Sequence, residues 1–431
     1  MNPQLLVRLA HPLRIQGSVI EAFLPGTKIG EICEIQKSLI EDDLLGLAQV
    51  TGFNNENTFL SLLTDNLGFS CENVLFPTGK PFCINVHEDL IGTIIDASGA
   101  IRGRFDEQSV NPLTKSKSIV ACRAPLDFTL RRPIAEPLIT GIRAIDGLLT
   151  CGVGQRIGIF AAAGCGKTSL MNMLVTHCEA DVYVIGLIGE RVREVTEFVE
   201  SMKLSSRRAK VILVYATSDR SSVERTNAAQ VASSIAGYFS ELGKKVLLFI
   251  DSVTRYARAL RDVALSMGEL PARRGYPASV FESLPKLLER PGCFITGSIT
   301  AFYTVLIENE EEADVIGDEV RSILDGHIYL SHKLAAKGHY PAIDILQSIS
   351  RVFSSVTDDN HQQLAKVFRS LLQRKSEMQL YIDLGEYRYG ENVDNDIAFD
   401  KAGDIELFLR QDQEEKVDIS SCLERLYGCV V

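Results

Sequence analysis

The strongest chemical signal in this sequence is a run of small residues that ends in lysine and threonine. Residues 161–170 read AAAGCGKTSL and fit the phosphate-loop pattern G-x-x-x-x-G-K-[ST], with Ala161 where the general pattern has glycine. Small residues let backbone N–H groups curl around phosphate oxygens at the start of a helix, where unpaired donors and the helix dipole favour an anion. Lys167 then reaches the β- and γ-phosphates of ATP, and the Thr168 hydroxyl is a ligand of Mg²⁺. The predicted nucleotide-binding loop consists of Ala161, Ala162, Ala163, Gly164, Cys165, Gly166, Lys167, Thr168 and Ser169.

A second apolar run ends in an aspartate. Residues 245–251 read KVLLFID, which is typical of a buried strand. A carboxylate at the end of a strand beside a phosphate loop holds the magnesium ion, usually through water. Any strand can end in aspartate before a turn, so the pattern predicts a metal site only together with the loop. The expected protein ligands of Mg²⁺ are Thr168 and Asp251.

A glutamate follows a third apolar run, within residues 186–195, which read GLIGERVREV. Glu190 is expected just past a buried strand, at the edge where the phosphates lie. Water is a poor nucleophile, and a positioned carboxylate can orient and deprotonate it for attack on the γ-phosphate. Glu194 is a rival, but it should already lie inside the next helix. The alternative for Glu190 is a surface glutamate paired with Arg193.

The elements that must position these residues alternate between apolar strands and helices. Largely apolar runs occur at 156–161, 182–188, 211–215, 246–250 and 294–299. Such runs are typical of parallel strands covered by helices on both faces. In α/β sheets of this kind, ligands bind beyond the carboxyl ends of the strands.

The regions before and after this α/β segment have different patterns of apolar residues. Short alternating apolar segments broken by Gly, Pro and Asn predict a small closed β domain near the N-terminus. Helical spacing from about Ser354 predicts a C-terminal helical domain. The expected organisation is a β-barrel-like domain at 1–95, a linker at 96–136, an ATP-binding α/β domain at 137–353 and a helical domain at 354–431.

Composition excludes several classes of protein. The formal net charge of −11 argues against nonspecific nucleic-acid binding, which needs a footprint of lysine and arginine. Ten cysteines without a C-x-x-C pair indicate neither a zinc site nor a disulfide framework. The sequence has no signal-peptide pattern and no apolar run of the ~20 residues that a membrane helix needs. We therefore expect a cytoplasmic protein that reaches a membrane only through partners. Separately, we expect structural roles for His327, His332 and His339.

Longer stretches carry a resemblance to a known family. Residues 341–350, PAIDILQSIS, match the signature P-[SAP]-[LIV]-[DNH]-x-x-x-S-x-S. From about residue 137 to 388 the chain resembles the type III secretion ATPases, which are similar to the catalytic subunit of rotary ATP synthases. The resemblance implies a RecA-like P-loop NTPase core. It rests on residues 189–198, 251–261 (DSVTRYARALR), 271–290 (PARRGYPASVFESLPKLLER), 299–305 (ITAFYTV) and 321–330 (RSILDGHIYL).

The resemblance also implies roles for single residues. Glu190 matches the family's catalytic carboxylate, and Arg191 matches a basic residue near the γ-phosphate. Arg351 matches the arginine that reaches the nucleotide of the adjacent subunit, and Tyr340 matches an aromatic that packs on adenine; the alternative for Tyr340 is a core tyrosine.

The sequence departs from the family at three places. Val192 stands where the family has glycine, residues 100–106 replace its usual linker, and position 165 is commonly valine. Cys165 is expected to pack, although a helix N-terminus also favours a thiolate.

The function implied by the resemblance is that of a homohexameric ATPase that releases chaperones from exported proteins and unfolds them. A central stalk and a stator are its implied partners. Residues 338–341 and 384–396 resemble the injectisome branch, with flagellar export as the alternative. Two other classes fit less well. A noncatalytic subunit of an ion-motive ATPase would lack the carboxylate of Glu190. An RNA-translocating hexamer needs a basic, aromatic-rich surface, and residues 1–95 contain no tryptophan and no basic cluster.

Overall fold

The N-terminal region of the computed structural model is a closed β-sheet. The structure describes residues 8–430 except 39–42, 55, 64–67, 106–115, 308–313, 385–386, 388 and 391. Within these residues six antiparallel strands pair in the order β1-β2-β5-β4-β3-β6. Ala10 and Leu75 exchange backbone hydrogen bonds of 3.2 and 2.8 Å, which join the two edges of the sheet. The strands are β1 (Pro12–Gln16), β2 (Val19–Ala22), β3 (Glu31–Gln36), β4 (Leu44–Asn54), β5 (Asn57–Leu62) and β6 (Val74–Pro81).

Short strands connect this barrel to the next domain. They are β7 (Cys83–Val86), β8 (Thr93–Asp96), β9 (Ile101–Arg104), β10 (Lys117–Val120), β11 (Arg131–Arg132) and β12 (Pro137–Leu138), with 3₁₀ helices at Glu88–Leu90 and Phe128–Leu130. β8 crosses the expected domain boundary at residue 95 and pairs with a strand at 211–217 of the central sheet. The described residues of the expected linker, 96–136, thus contribute strands instead of only joining two domains.

The central domain is a mostly parallel sheet flanked by helices. Its strands are β13 (Cys151–Gly152), β14 (Arg156–Ala161), β15 (Val182–Glu190), β16 (Val211–Thr217), β17 (Lys245–Asp251), β18 (Gly292–Phe294), β19 (Ser298–Leu306), β20 (Gly326–Leu330) and β21 (Ile343–Ser350). Its helices are α1 (Arg143–Leu148), α2 (Lys167–His177), α3 (Val192–Leu204), α4 (Ser222–Glu241), α5 (Val253–Ser266), α6 (Ala278–Leu288), α7 (Val315–Ile323) and α8 (His332–Ala336), with a 3₁₀ turn at Arg208–Lys210.

The order of the strands decides which residues meet. The sheet runs β21-β20-β14-β19-β17-β15-β16-β8-β9. Strands β20, β14, β19, β17, β15, β16 and β8 are parallel neighbours, whereas β21 and β9 are antiparallel edges. All nine residues of β15 are buried, as expected for a strand covered by helices on both faces. The carboxyl ends of β14, β17 and β15 therefore lie at one edge of the sheet.

The C-terminal region is helical, as predicted, and packs on the central domain. It contains α9 (Phe353–Val356), α10 (Asp359–Asp383), α11 (Val393–Asp400), α12 (Ala402–Leu409) and α13 (Ile419–Val430). Arg143, 3 % exposed, donates to the carbonyl of Phe408 (3.0 Å) and pairs with Glu415 (2.5 Å). A cation at the last carbonyls of α12 opposes the negative end of the helix dipole. No helix in the described part of the chain is both long and apolar enough to cross a bilayer.

Candidate nucleotide site

The loop between β14 and α2 has the geometry of an anion cradle. Gly164 and Gly166 have φ angles of +82° and +83°, a region that glycine enters without strain. The first backbone N–H groups of α2 have no partner within the helix and are available to a ligand. Ala163, Gly164 and Thr168 are exposed, whereas Cys165 is 1 % exposed and packs in the core of the domain.

Lys167 sits between two carboxylates. Its Nζ donates to Oδ1 of Asp251 at 2.6 Å and lies 3.4 Å from Oε1 of Glu190. Burial alone would lower the pKa of Lys167, but the negative charges of Asp251 and Glu190 outweigh burial and raise it. The ammonium group is therefore charged at neutral pH and is held at the carboxyl edge of the sheet.

Glu190 is the last residue of β15 and is 3 % exposed. Arg255 forms an ion pair with its Oε2 and donates to the carbonyl of Gly189 at 2.7 Å. Burial, and then a hydrogen bond with Glu194, raise the pKa of Glu190, which Lys167 and Arg255 only partly offset. A buried carboxylate of raised pKa is suited to accept a proton.

Asp251 ends β17 and is also 3 % exposed. Besides Lys167, its Oδ1 accepts a hydrogen bond of 2.6 Å from the hydroxyl of Thr304, on the neighbouring β19. Thr168 lies in the first turn of α2, directly after Lys167. Carboxylate and hydroxyl oxygens are hard donors of the kind that Mg²⁺ prefers, so this pair of residues fits that metal.

The remaining predicted residues lie at different distances from this cluster. The ring of Tyr340 approaches Gly166 so closely that a Cβ built there would lie 3.0 Å from it. Arg191 precedes α3, and its side chain is 77 % exposed, 3.9 Å from Glu194. Glu194 lies inside α3, as expected.

Arg351 lies at the opposite edge of the sheet. β21 is antiparallel to β20, and Ser350 pairs with Gly326 at the start of that strand. The backbone N–H of Arg351 donates to Asp325 (2.9 Å), whose own N–H donates to Arg156 at the start of β14. The length of β14, roughly 16 Å at ~3.3 Å per residue, therefore separates Arg351 from the loop of its own chain.

Sequence reasoning gave no role to Arg255 or Thr304, although both contact the predicted carboxylates. Arg255 lies in the stretch 251–261, one turn into the helix that follows Asp251. Its position near the start of this helix was the signal in the sequence. A helix that follows Asp251 begins at the edge of the sheet where the phosphates are expected. Thr304 lies inside a buried strand, where its hydroxyl needs a partner. His327, His332 and His339 are predicted to have structural roles. Among the residues that the structure describes, no group of three or more His, Cys, Asp or Glu residues could hold a metal ion.

The chain matches two family models. Residues 141–350 match the nucleotide-binding domain of the ATP synthase alpha/beta family, and residues 357–428 match the T3SS EscN ATPase C-terminal domain.

Several known proteins are similar over almost the whole chain. The SPI-1 type 3 secretion system ATPase of Salmonella typhi is 56 % identical over 410 residues, covering 95 % of this chain and 94 % of that protein. The flagellum-specific ATP synthase of Treponema pallidum is 40 % identical over 430 residues, covering 97 % and 93 %. Assembled EscN from enteropathogenic E. coli superposes with a TM-score of 0.90 at 42 % identity, over 98 % of this chain and 100 % of that one. EscN in complex with its central stalk EscO gives a TM-score of 0.87 at the same identity and coverage.

Proposed function

The chain belongs to the type III secretion ATPase family and is an ATP hydrolase, and we propose that it turns over Mg²⁺·ATP at residues 161–169. The observation that carries this proposal is the position of Lys167. Its ammonium lies 2.6 Å from Asp251 and 3.4 Å from Glu190, so the phosphate-binding cation, a metal-holding carboxylate and a base are within contact of one another. Their meeting at the carboxyl edge of the sheet is expected of an α/β nucleotide site.

Lys167 binds the β- and γ-phosphates. Its raised pKa keeps it a cation at neutral pH. Phosphate oxygens replace Asp251 as its partner when the nucleotide binds, which releases a carboxylate oxygen. Asp251 and the Thr168 hydroxyl would hold Mg²⁺, and the metal would neutralise charge on the phosphates.

Glu190 orients the attacking water and accepts its proton. Its burial makes the carboxylate more basic than an exposed glutamate, and the charge of Arg255 fixes one of its oxygens. The Arg255 guanidinium also donates to the carbonyl of Gly189, so Arg255 positions both the side chain and the backbone at the end of β15.

Tyr340 and Arg191 complete the site within one chain. The Tyr340 ring lies against Gly166 and is partly exposed, which suits an aromatic that stacks on the adenine. Arg191 stands exposed at the start of α3, directly after Glu190, where a guanidinium can reach the γ-phosphate.

Arg351 acts on the nucleotide of a neighbouring copy. It cannot reach residues 161–169 of its own chain, because β14 lies between them. Each copy carries both a phosphate loop and an Arg351, so Arg351 of one copy can complete the loop of the next. Identical interfaces of this kind can close into a ring. We propose a homohexamer, and the assembled state of the similar EscN supports self-association.

The system served is protein export of the injectisome type. The Salmonella typhi type 3 secretion ATPase is 56 % identical, against 40 % for the flagellum-specific protein of Treponema pallidum. The EscN–EscO complex supports a central stalk as partner. The other proposed partners are a stator, secretion chaperones and the exported proteins, and this chain meets the membrane only through them, from the cytoplasmic side. The resemblance at 384–396 falls partly on residues 385, 386, 388 and 391, outside the described residues.

Hydrolysis separates this proposal from that of a noncatalytic subunit. The purified chain should release phosphate from ATP. Phosphate release should stop when Mg²⁺ is chelated and should resume when Mg²⁺ is returned. A noncatalytic subunit would bind a fluorescent ATP analogue and release no phosphate at any Mg²⁺ concentration. Binding without turnover, at chain concentrations where the oligomer is present, would overturn the proposed activity. Added RNA should leave the rate unchanged, whereas RNA-stimulated turnover would favour an RNA-translocating hexamer.

A further inference from the structure

A small cavity lies away from the nucleotide site, between α4 and the segment 123–126. It has a volume of about 60 Å³, and a buried water needs about 10–15 Å³ measured with a water-sized probe. Ile299, at the start of β19, lines it, whereas the nucleotide loop aligns with Leu306 at the other end of that strand. Seven residues of strand, roughly 23 Å at ~3.3 Å per residue, separate the two places. The cavity is therefore not an extension of the nucleotide site.

Arg290 brings an uncompensated positive charge to this cavity. It follows α6 and is 7 % exposed. Its Nε donates to the carbonyl of Lys286 (3.2 Å). Its Nη2 donates to the side-chain oxygen of Gln230 and, at 3.9 Å, to Sγ of Cys122, whereas its Nη1 has no hydrogen-bond partner. No Asp or Glu among the described residues forms an ion pair with Arg290, and burial lowers its pKa. Buried charges in proteins are normally paired, so this arginine lacks an anion.

Two serine hydroxyls on α4 line the same cavity. Ser233 and Ser240 are 2 % and 3 % exposed, and neither hydroxyl has a partner. Buried polar side-chain atoms are hydrogen-bonded in the large majority of cases, so three unpartnered groups around one cavity call for an explanation. Gly237 lies between the two serines, and a Cβ built there would meet nothing within 4 Å. Ser233, Gly237 and Ser240 therefore lie along the face of α4 that lines the cavity.

The free groups of the cavity are donors. The Arg290 Nη1 and the serine hydroxyls can all donate, and the nearby carboxylate of Glu241 is already paired with Arg123 (2.6 Å) and Lys117 (3.6 Å). Leu126, Phe294 and Ile299 supply apolar walls, which strengthen a charge–charge contact by excluding water. The serines lie seven residues apart, about 10 Å along the helix. One small ion therefore cannot span both hydroxyls.

We propose that this cavity binds a small inorganic oxyanion of the phosphate class, with Arg290 as its counter-ion and a serine of α4 as a second donor. The bound anion joins the end of α6, where Arg290 lies, to α4. Phosphate is also the product of the enzyme's reaction, so the occupancy of the cavity follows the phosphate level around the enzyme.

Thermal unfolding tests the proposal in full-length protein that carries Lys167→Ala, which weakens phosphate binding at the nucleotide loop. Sodium phosphate should raise Tm in a saturable manner beyond sodium chloride of matched ionic strength. Ser233→Ala combined with Ser240→Ala should remove most of this phosphate-specific rise. Ser283→Ala is the matched control, because that hydroxyl lies on α6 and donates to the Ser279 carbonyl (2.8 Å); it should keep the full rise.

Arg290→Met gives a second, independent test. It removes a buried charge that lacks a partner, so the variant should fold in phosphate-free buffer with a Tm at least equal to that of its parent, and phosphate should no longer raise it. Crystals soaked in selenate, an anomalously scattering analogue, should show a peak beside Nη1 of Arg290. A Tm rise that survives both the double serine variant and Arg290→Met, or water alone in the cavity at high selenate, would overturn the proposal.

Discussion

The two ends of strand β14 carry charged groups in contrasting surroundings. At the carboxyl end, Lys167 is enclosed by Asp251 and Glu190, both 3 % exposed. At the amino end, Arg351 lies at the surface, and its guanidinium donates to the carbonyl of Arg321 at 3.3 Å. Lys167 is held in place by contacts within its own chain, whereas Arg351 is exposed at the surface. The contrast fits the proposal that one chain builds the binding half of an active site and offers the completing half to a neighbour.

Removing the cation of the enclosed end should have the largest effect. Lys167→Ala should abolish ATP hydrolysis, because no other side chain of the loop supplies a compact positive charge to the β- and γ-phosphates. The loss also leaves the carboxylates of Asp251 and Glu190 close together without the ammonium between them. Phosphate release is the measurement, with Lys203→Ala, an exposed lysine on α3 paired with Glu200, as control. Turnover above a tenth of the wild-type rate would contradict the site assignment.

Removing the cation of the exposed end should act on catalysis and spare binding. An arginine that stabilises the transferred phosphoryl group is worth ~10³–10⁵ in rate, so Arg351→Ala should reduce kcat by that order. Nucleotide affinity should change little, because the interaction develops in the transition state. Turnover per wild-type chain should rise with protein concentration as interfaces form, and the variant should lose that rise. Weakened nucleotide binding at unchanged kcat would be inconsistent with this role.

Replacing the base at the enclosed end should give the next largest loss. Glu190→Gln keeps the shape of the side chain but cannot accept a proton, and a general base contributes ~10²–10⁴ in rate. Binding of a fluorescent ATP analogue should persist. Glu197→Gln, on the exposed surface of α3, is the control and should retain full activity. A Glu190→Gln chain that no longer binds nucleotide would point to a structural or metal-organising role instead.

The smallest effect is expected at the residue that supports the base. Arg255→Met removes the ion pair with Glu190 and the hydrogen bond to Gly189, so kcat should fall by on the order of tenfold, as for other residues that orient a catalytic group. KM for ATP should stay near the wild-type value, and Arg255→Lys should restore part of the rate. Equal losses in binding and turnover, without rescue by lysine, would make Arg255 a folding residue.

Local patterns predicted the parts of the site that depend on local geometry. The loop at 161–169 and the carboxylates Glu190 and Asp251 each follow directly from an apolar strand, so their common edge could be inferred from the chain alone. Arg255 could not be assigned in this way, because its contact with Glu190 depends on how α5 packs beside β15. The same holds for Thr304, which reaches Asp251 across a strand pairing that the sequence does not specify.

The limits of domains were harder to predict than the elements themselves. Residues 93–96 have the short alternating pattern of the barrel strands, and that pattern does not say which sheet a strand joins. Backbone hydrogen bonds place β8 beside β16, so the central sheet begins before the predicted linker. By contrast, the predicted helical region from about Ser354 agrees with α9 and α10, because helical periodicity extends over a long segment there.

Mixing two inactive variants tests most directly whether the two ends of β14 serve different active sites. A Lys167→Ala chain keeps an intact Arg351, and an Arg351→Ala chain keeps an intact phosphate loop. Wherever the two intact halves meet in a mixed ring, a complete site forms, so the mixture should regain ATP hydrolysis and the rate should pass through a maximum as the mixing ratio varies. If the mixture stays inactive at every ratio although co-assembly is verified, Arg351 does not complete the site of a neighbour and the account of a shared active site is wrong.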